Sequence, residues 1–239
     1  MTKKRSAKNK TSAESKKPDI HESMQFDFRR DFSWRIFRIM AEFVEGFQFI
    51  ANFKQTVSFF GSTRFPDNDH HYKEARRLAA MLAKDGFTIV TGGGPGIMEA
   101  ANRGAHESGG KSVGMNIVLP REQKLNPYVH RSQSFHYFFT RKVMLDFAAE
   151  AYIFFPGGFG TLDEFFEIVT LIQTKKIRCV PVLLVGKDYW GTLINWIYNH
   201  VFLQHKAINK EDLAIFQIAD SVEEAYRMLQ AIKEKPSYA

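Results

Sequence analysis

Two apolar runs in this chain end the same way. Phe87–Val90 leads into Thr91-Gly92-Gly93-Gly94-Pro95-Gly96, and Ala151–Phe155 leads into Pro156-Gly157-Gly158-Phe159-Gly160-Thr161. A segment with helical spacing follows each glycine cluster at once. Short runs that are apolar throughout, without alternation, are strands buried on both faces, and such strands belong to parallel sheets covered by helices. Glycine at their ends lets the chain turn tightly into the next helix and brings several unpaired backbone N–H groups together. Two strand–glycine–helix units in one chain therefore restrict the fold to an α/β architecture.

The rest of the chain keeps that rhythm. Strands are expected at 56–60, 87–90, 112–118, 135–138, 151–155, 180–185 and 215–218. Helices are expected at 30–53, 71–84, 97–107, 140–150, 161–175, 192–203 and 221–233, the last with Ser221 and Glu224 at capping-box spacing. The fold class is α/β: a Rossmann-like, doubly wound parallel sheet with helices on both faces and an N-terminal helical extension. The expected domains are a basic, disordered tail at 1–19, a helical extension at 20–54 and a nucleotide-binding domain at 55–235. In the extension, Phe32, Ile36, Ile39, Met40, Phe43, Val44, Phe47 and Ile50 recur at three- and four-residue spacing. That stripe reads as packing against the core or a partner subunit, with Gly46 marking a kink or a close contact.

The net charge of +7 is concentrated at one end. Residues 1–18 carry seven basic side chains against Glu14 alone, six of those seven net charges, and lack the apolar residues to fold. Contact with nucleic acid is thus expected only through the tail, in a salt-sensitive manner. The lone cysteine, Cys179, excludes an internal disulfide and a cysteine-rich metal site, and beside Val180–Val185 it reads as a small core residue. No apolar run is long enough to span a bilayer, and no apolar stretch directly follows the basic N-terminus. A cytoplasmic protein with no membrane association is expected.

Neither glycine turn fits the common phosphate-binding fingerprints. Counting G-x-G-x-x-G from Gly94 reaches Glu99, counting from Gly158 reaches Asp163, and no Gly-Lys-Ser/Thr follows either turn. Pyridine-dinucleotide enzymes and P-loop ATPases are therefore disfavoured. Asp163 and Glu164 come just after the second turn, where an acid can complement the helix dipole or reach whatever hangs from a bound phosphate. Arg141 and Lys142 stand near the start of the preceding helix, where their charge opposes the dipole and suggests anion binding.

Taken together, Gly92–Ala100, the Arg141-Lys142 pair and Pro156–Glu164 resemble the LONELY GUY family of cytokinin riboside 5′-monophosphate phosphoribohydrolases, often mislabelled as lysine decarboxylases. The resemblance covers roughly residues 55–232, and no lysine stands in a pyridoxal-phosphate context. It implies cleavage of the N-glycosidic bond of a purine or cytokinin nucleoside 5′-monophosphate to free base and ribose 5-phosphate. Arg141 and Glu164 would hold the catalytic positions. Gly94, Glu122, Lys142, Gly157, Gly158, Gly160, Thr161 and Thr170 would contact the substrate. No cofactor and no metal are implied, and the chain lacks an HExxH pattern. The resemblance also implies a homodimer or higher homo-oligomer. In chemical terms a fixed carboxylate can stabilise the positive charge that develops on the sugar. Arginine can hold that carboxylate and the phosphate through paired charge-assisted bonds. A nucleotide sensor or carrier that keeps the cradle without turnover is the alternative.

Overall fold

The structure, a computed structural model, describes residues 32–118 and 125–233. The basic tail expected at 1–19 and the Glu122 assignment lie outside the described residues. The chain divides into two compact units, Met1–Phe37 and Arg38–Ala239. In the first, Trp34 and Phe37 meet edge to face at 6.3 Å.

Seven strands form one parallel sheet: β1 Thr56–Phe60, β2 Thr88–Thr91, β3 Ser112–Ile117, β4 Arg131–Phe135, β5 Ala151–Phe154, β6 Val182–Val185 and β7 Phe216–Ala219. Their order is β4-β3-β2-β1-β5-β6-β7. The chain builds outward from β1 in one direction through β4, returns to the centre at β5, and then builds the other way. The switch lies between β1 and β5, so the loops after these two strands diverge and leave a crevice at their carboxyl ends. The helices are α1 Phe32–Ile50, α2 His70–Lys84, α3 Ile97–Glu107, α4 Phe138–Ala148, α5 Phe159–Gln173, α6 Lys187–Trp196 and α7 Val222–Lys233. A π-helical stretch, Ile197–Gln204, continues α6. Among the described residues no helix is long and apolar enough to cross a membrane.

Side-chain alternation along each strand feeds two cores. Val57, Phe59, Ile89, Ile153 and Leu183 face α2, α3 and α7, where Leu78, Leu82, Ala101 and Leu229 meet them. Phe60, Val90, Met115, Tyr152, Phe154 and Leu184 face the other way, toward Met144, Leu145, Phe165, Ile168 and Trp190 of α4–α6. Both faces being covered explains why the central strands are apolar throughout. Within α1, Phe49 joins the second core, with Phe43 and Ile50 packed against it. A side chain at Gly46 would collide with Met144 and Phe135, so this glycine marks a close contact.

Two expectations are corrected. The fourth strand was expected at 135–138, but β4 runs over Arg131–Phe135, a mostly exposed edge strand paired to β3 alone. Its polar residues follow from that edge position and carry no apolar signal. Cys179 is exposed, contrary to its reading as a core residue, because β6 starts only at Val182 and the cysteine falls in the loop before it.

Candidate functional site

A cavity of about 1460 Å³ opens at the switch point. Its walls come from the loop after β1 (Gly61, Ser62, Thr63, Arg64), from Gly92 after β2, and from Phe138 and Arg141 of α4. The floor and far side come from the turn after β5 and the start of α5 (Pro156–Glu164), with Lys187 and Tyr189 of α6. The backbone N–H of Ser62 donates to the carbonyl of Pro156 at 3.0 Å and ties the two central loops together.

The turn after β5 is built by specific contacts. A side chain at Gly157 would overlap the Thr161 side chain, so glycine is required there for the turn to close. Tyr189 donates from its hydroxyl to the Gly157 carbonyl at 2.6 Å, and Trp190 Nε1 donates to the Phe154 carbonyl at 3.2 Å. Around Gly158 and Gly160 an added Cβ would meet nothing within 4 Å. Here the missing side chains leave room on the pocket side of a helix N-terminus, the arrangement that receives anions. The helix begins at Phe159, earlier than the expected Thr161, so Asp163 and Glu164 fall in its second turn, outside the first-turn position where they were expected.

The turn after β2 serves a different purpose. A Cβ on Gly92 would overlap Nη2 of Arg141, so the guanidinium lies directly over this glycine. Arg141 Nε donates to the Met115 carbonyl at 2.8 Å, which fixes the side chain at the end of β3. Among the described residues no ion pair joins Arg141 to Glu164, so the expected paired bonds to that carboxylate are absent. Burial lowers the Arg141 pKa from its ordinary value, and the charge of Glu164 opposes the change.

Glu164 is 7% exposed, and its Oε2 is buried without a hydrogen-bond partner. Burial pushes its carboxyl up to about 7, against the pull of Arg141 and Lys142 and with a contribution from Glu167 and Asp163. Lys142 does not line the cavity. It pairs with Asp163 at 2.7 Å and Glu167 at 2.5 Å across the α4–α5 interface. Burial works against its charge, yet its bonds to those two acids hold it above the ordinary lysine range. Thr170 is also outside the cavity, three turns along α5, where its hydroxyl donates to the Phe166 carbonyl at 2.7 Å. Gly94 sits behind the wall, its carbonyl accepting from Asn126 Nδ2 at 3.1 Å. Of the expected site residues, Arg141, Glu164, Gly157, Gly158, Gly160 and Thr161 meet at the cavity.

Sequence reasoning missed Glu42. This residue of α1 is buried, and its carboxylate accepts from the His136 N–H at 2.8 Å, the Tyr137 N–H at 3.4 Å and the Thr140 hydroxyl at 2.6 Å. The N-cap residue of α4, Tyr137, offers no side-chain cap of its own. Glu42 therefore caps, from the extension, the helix that carries Arg141, and its charge complements that helix terminus. A carboxylate inside an apolar stripe was the available signal. Among the described residues two groups of side chains have metal-ligand chemistry within 4.8 Å: His70, His71 and Glu74 on the cavity wall, and the cavity residue Glu164 with Asp146 and Glu167, which do not line it. The second group already has a cation, Lys142, on Glu167.

The fold and cavity define a Rossmann-like α/β protein with a glycine-lined helix N-terminus at the switch point of its sheet. The family model described as possible lysine decarboxylase matches residues 98–229, more than half of the chain, and the chain belongs to this family, that of the LONELY GUY proteins. A rice (Oryza sativa subsp. japonica) protein named probable cytokinin riboside 5′-monophosphate phosphoribohydrolase LOGL5 is 35% identical over 155 residues. That match covers 62% of this chain and 60% of the rice protein, less than two thirds of its length. The Arabidopsis thaliana cytokinin riboside 5′-monophosphate phosphoribohydrolase LOG2 is 29% identical over 154 residues, 62% of this chain and 70% of its own. Among solved structures, the structural-genomics target TM1055 superposes with a TM-score of 0.57 at 26% identity, covering 74% of this chain and 99% of its own. The molybdenum cofactor carrier protein of Chlamydomonas reinhardtii shares the fold, with a TM-score of 0.58 at 20% identity over 76% of this chain and 99% of its own.

Proposed function

We propose that the protein is a phosphoribohydrolase that cleaves the N-glycosidic bond of purine or cytokinin nucleoside 5′-monophosphates, releasing free base and ribose 5-phosphate. The observation that carries this reading is a buried carboxylate, Glu164, set in one cavity with a glycine-lined helix N-terminus and the Arg141 guanidinium. The 5′-phosphate rests on the backbone around Gly158 and Gly160, with Arg141 supplying charge. Its binding energy positions the sugar without touching the reacting bond. As the bond to the base lengthens, positive charge grows on the ribose, and the ionised Glu164 stabilises it or orients the attacking water. A pKa of about 7 leaves Glu164 able to carry a proton either way near neutrality. Phe138 and Phe159 line the cavity with exposed rings and offer a stacking surface for the base.

The working unit is a homodimer or larger homo-oligomer in the cytoplasm, a reading supported by exposed Phe47 and Phe147, whose rings meet at 5.8 Å. A monomer in light scattering at micromolar concentration would count against it.

Adenosine monophosphate and isopentenyladenosine monophosphate, incubated with the full chain and separated by chromatography, test the activity. Release of free base is expected, reduced at least about 100-fold in both Glu164→Gln and Arg141→Ala. Intact nucleotide in the presence of measurable nucleotide binding would move the assignment to a carrier or sensor; the name of the Chlamydomonas neighbour makes that protein a carrier, of molybdenum cofactor.

A further inference from the structure

Behind the cavity, α4 and α5 bury a second carboxyl group that the proposed reaction does not use. Asp146 stands one helical turn beyond Lys142, 5% exposed, and its Oδ1 has no hydrogen-bond partner. One oxygen each of Asp146, Glu164 and Glu167 lies within 4.8 Å of the other two. Asp146 Oδ1 and Glu164 Oε2 are both buried without a hydrogen-bond partner, and a proton held on one of the two carboxyls would supply the donor that both lack. Lys142 cannot serve both, since its ammonium is committed to Asp163 and Glu167.

Resting on the reading of Glu164 given above, we propose that Asp146 is a positioning residue: as the neutral acid it donates its O–H to Oε2 of Glu164, directly or through one water, and holds that carboxylate toward the ribose. The arrangement keeps a carboxylic acid un-ionised near neutral pH so that it can act as a donor.

The surroundings favour the proton on Asp146. Burial first, then the charges of Glu167 and Glu164, raise its pKa to about 8. Glu164, reached by the opposing charges of Arg141 and Lys142, is raised less, to about 7. The groups facing Asp146 are Lys142 on its own helix, Asp163, Glu164 and Glu167 on α5, and Tyr152 on β5, whose hydroxyl donates to the Asp146 backbone carbonyl. As pH rises, the pair loses its first proton from Glu164 and its second from Asp146. Activity that needs Glu164 ionised and Asp146 neutral is therefore confined between those two steps.

The test compares the full chain with Asp146→Asn and Asp146→Val from about pH 5 to about pH 10. Asparagine keeps a neutral donor, so kcat stays within about threefold of the parent and the alkaline fall disappears. Valine removes the donor, so kcat drops about tenfold or more at unchanged KM, and the acid limb moves to higher pH because the charged Glu164 has lost its bond. Infrared difference spectra at neutral pH should show, beside the carbonyl of the partly protonated Glu164, a second buried carboxylic-acid carbonyl from Asp146, present in the parent and in neither variant. Parent-like kcat and pH profile in Asp146→Val, an unchanged acid band in that variant, or loss of the parent band on adding manganese would each overturn the proposal. Should the parent hydrolyse no nucleotide, the functional reading falls by itself. The acid band and the upward shift of Glu164 ionisation in Asp146→Val then decide the Asp146–Glu164 pairing alone.

Discussion

The two glycine turns look alike in sequence and differ in what they do. After β2, Gly92 yields its Cβ position to the Arg141 guanidinium, and Gly96, at φ +69°, places a Cβ position against the Ser62 carbonyl. Packing demands both. After β5, Gly158 and Gly160 face open space, so nothing in the protein itself demands them. The acids that follow differ as well. Glu99, in the first turn of α3, accepts a hydrogen bond from the Tyr72 hydroxyl at 3.0 Å. Glu164, in α5, is buried with an unpartnered oxygen. One turn is satisfied internally and supports the site. The other leaves open space at its glycines that a ligand can fill, which is the usual mark of a place where stability is traded for function.

The largest expected effect follows from that contrast in acids. Glu164 has a folded pKa of about 7 against an ordinary value of 4.5. The folded state therefore binds this proton more tightly than the unfolded chain does. Its contribution is complete below about pH 4.5 and is lost as pH rises through about 7, on the order of 3 kcal/mol. Asp146, raised from 3.8 to about 8, acts in the same direction. Denaturant titrations at about pH 5 and about pH 8 should show lower stability at the higher pH. Glu164→Gln should flatten that slope. Equal slopes in the parent and Glu164→Gln would remove the distinction between the two acids.

Next in size is Gly92→Ala. The added methyl occupies the Arg141 Nη2 position, so the guanidinium must move, and on the proposed role of Arg141 a displacement of about 1 Å costs about 100-fold in kcat. Steady-state kinetics on whichever nucleotide the parent cleaves would measure it, and parent-like kcat would sever the first turn from the site. Gly96→Ala acts on the fold. A left-handed backbone and an overlap with the Ser62 carbonyl predict a loss of about 2 kcal/mol in chemical denaturation.

These contacts also show where reading the sequence stopped. Among the described residues, apolar runs and helical spacing located six of the seven strands and the seven α-helices, because burial on both faces of a sheet leaves a compositional trace. The same rule failed at β4, whose exposed edge leaves no such trace, and at Cys179, where an apolar stretch begins before the strand does. Within the site, the glycines and the Arg141–Glu164 combination were legible as a motif. The direction of Lys142 was not, because its partners Asp163 and Glu167 lie on another helix and only the α4–α5 packing brings them within reach. Glu42 was hidden for the same reason, caught in a stripe read by its apolar neighbours while it caps a helix more than 90 residues away.

The smallest expected effect is the sharpest separation of packing from ligand binding. Gly160 lies within α5, and an added Cβ meets nothing within 4 Å. Alanine in a helix is favoured over glycine by about 1 kcal/mol, so Gly160→Ala should leave the stability unchanged or raise it by up to that amount. If the open space is where a phosphate approaches the backbone, the same methyl should weaken nucleotide binding about tenfold, about 1.4 kcal/mol. Thermal denaturation and calorimetric titration with adenosine monophosphate on one preparation read both quantities. A stabilised variant with weakened binding means that glycine stands there for the ligand. A stabilised variant with unchanged binding would place the phosphate elsewhere and return the turn after β5 to the same structural role as the turn after β2.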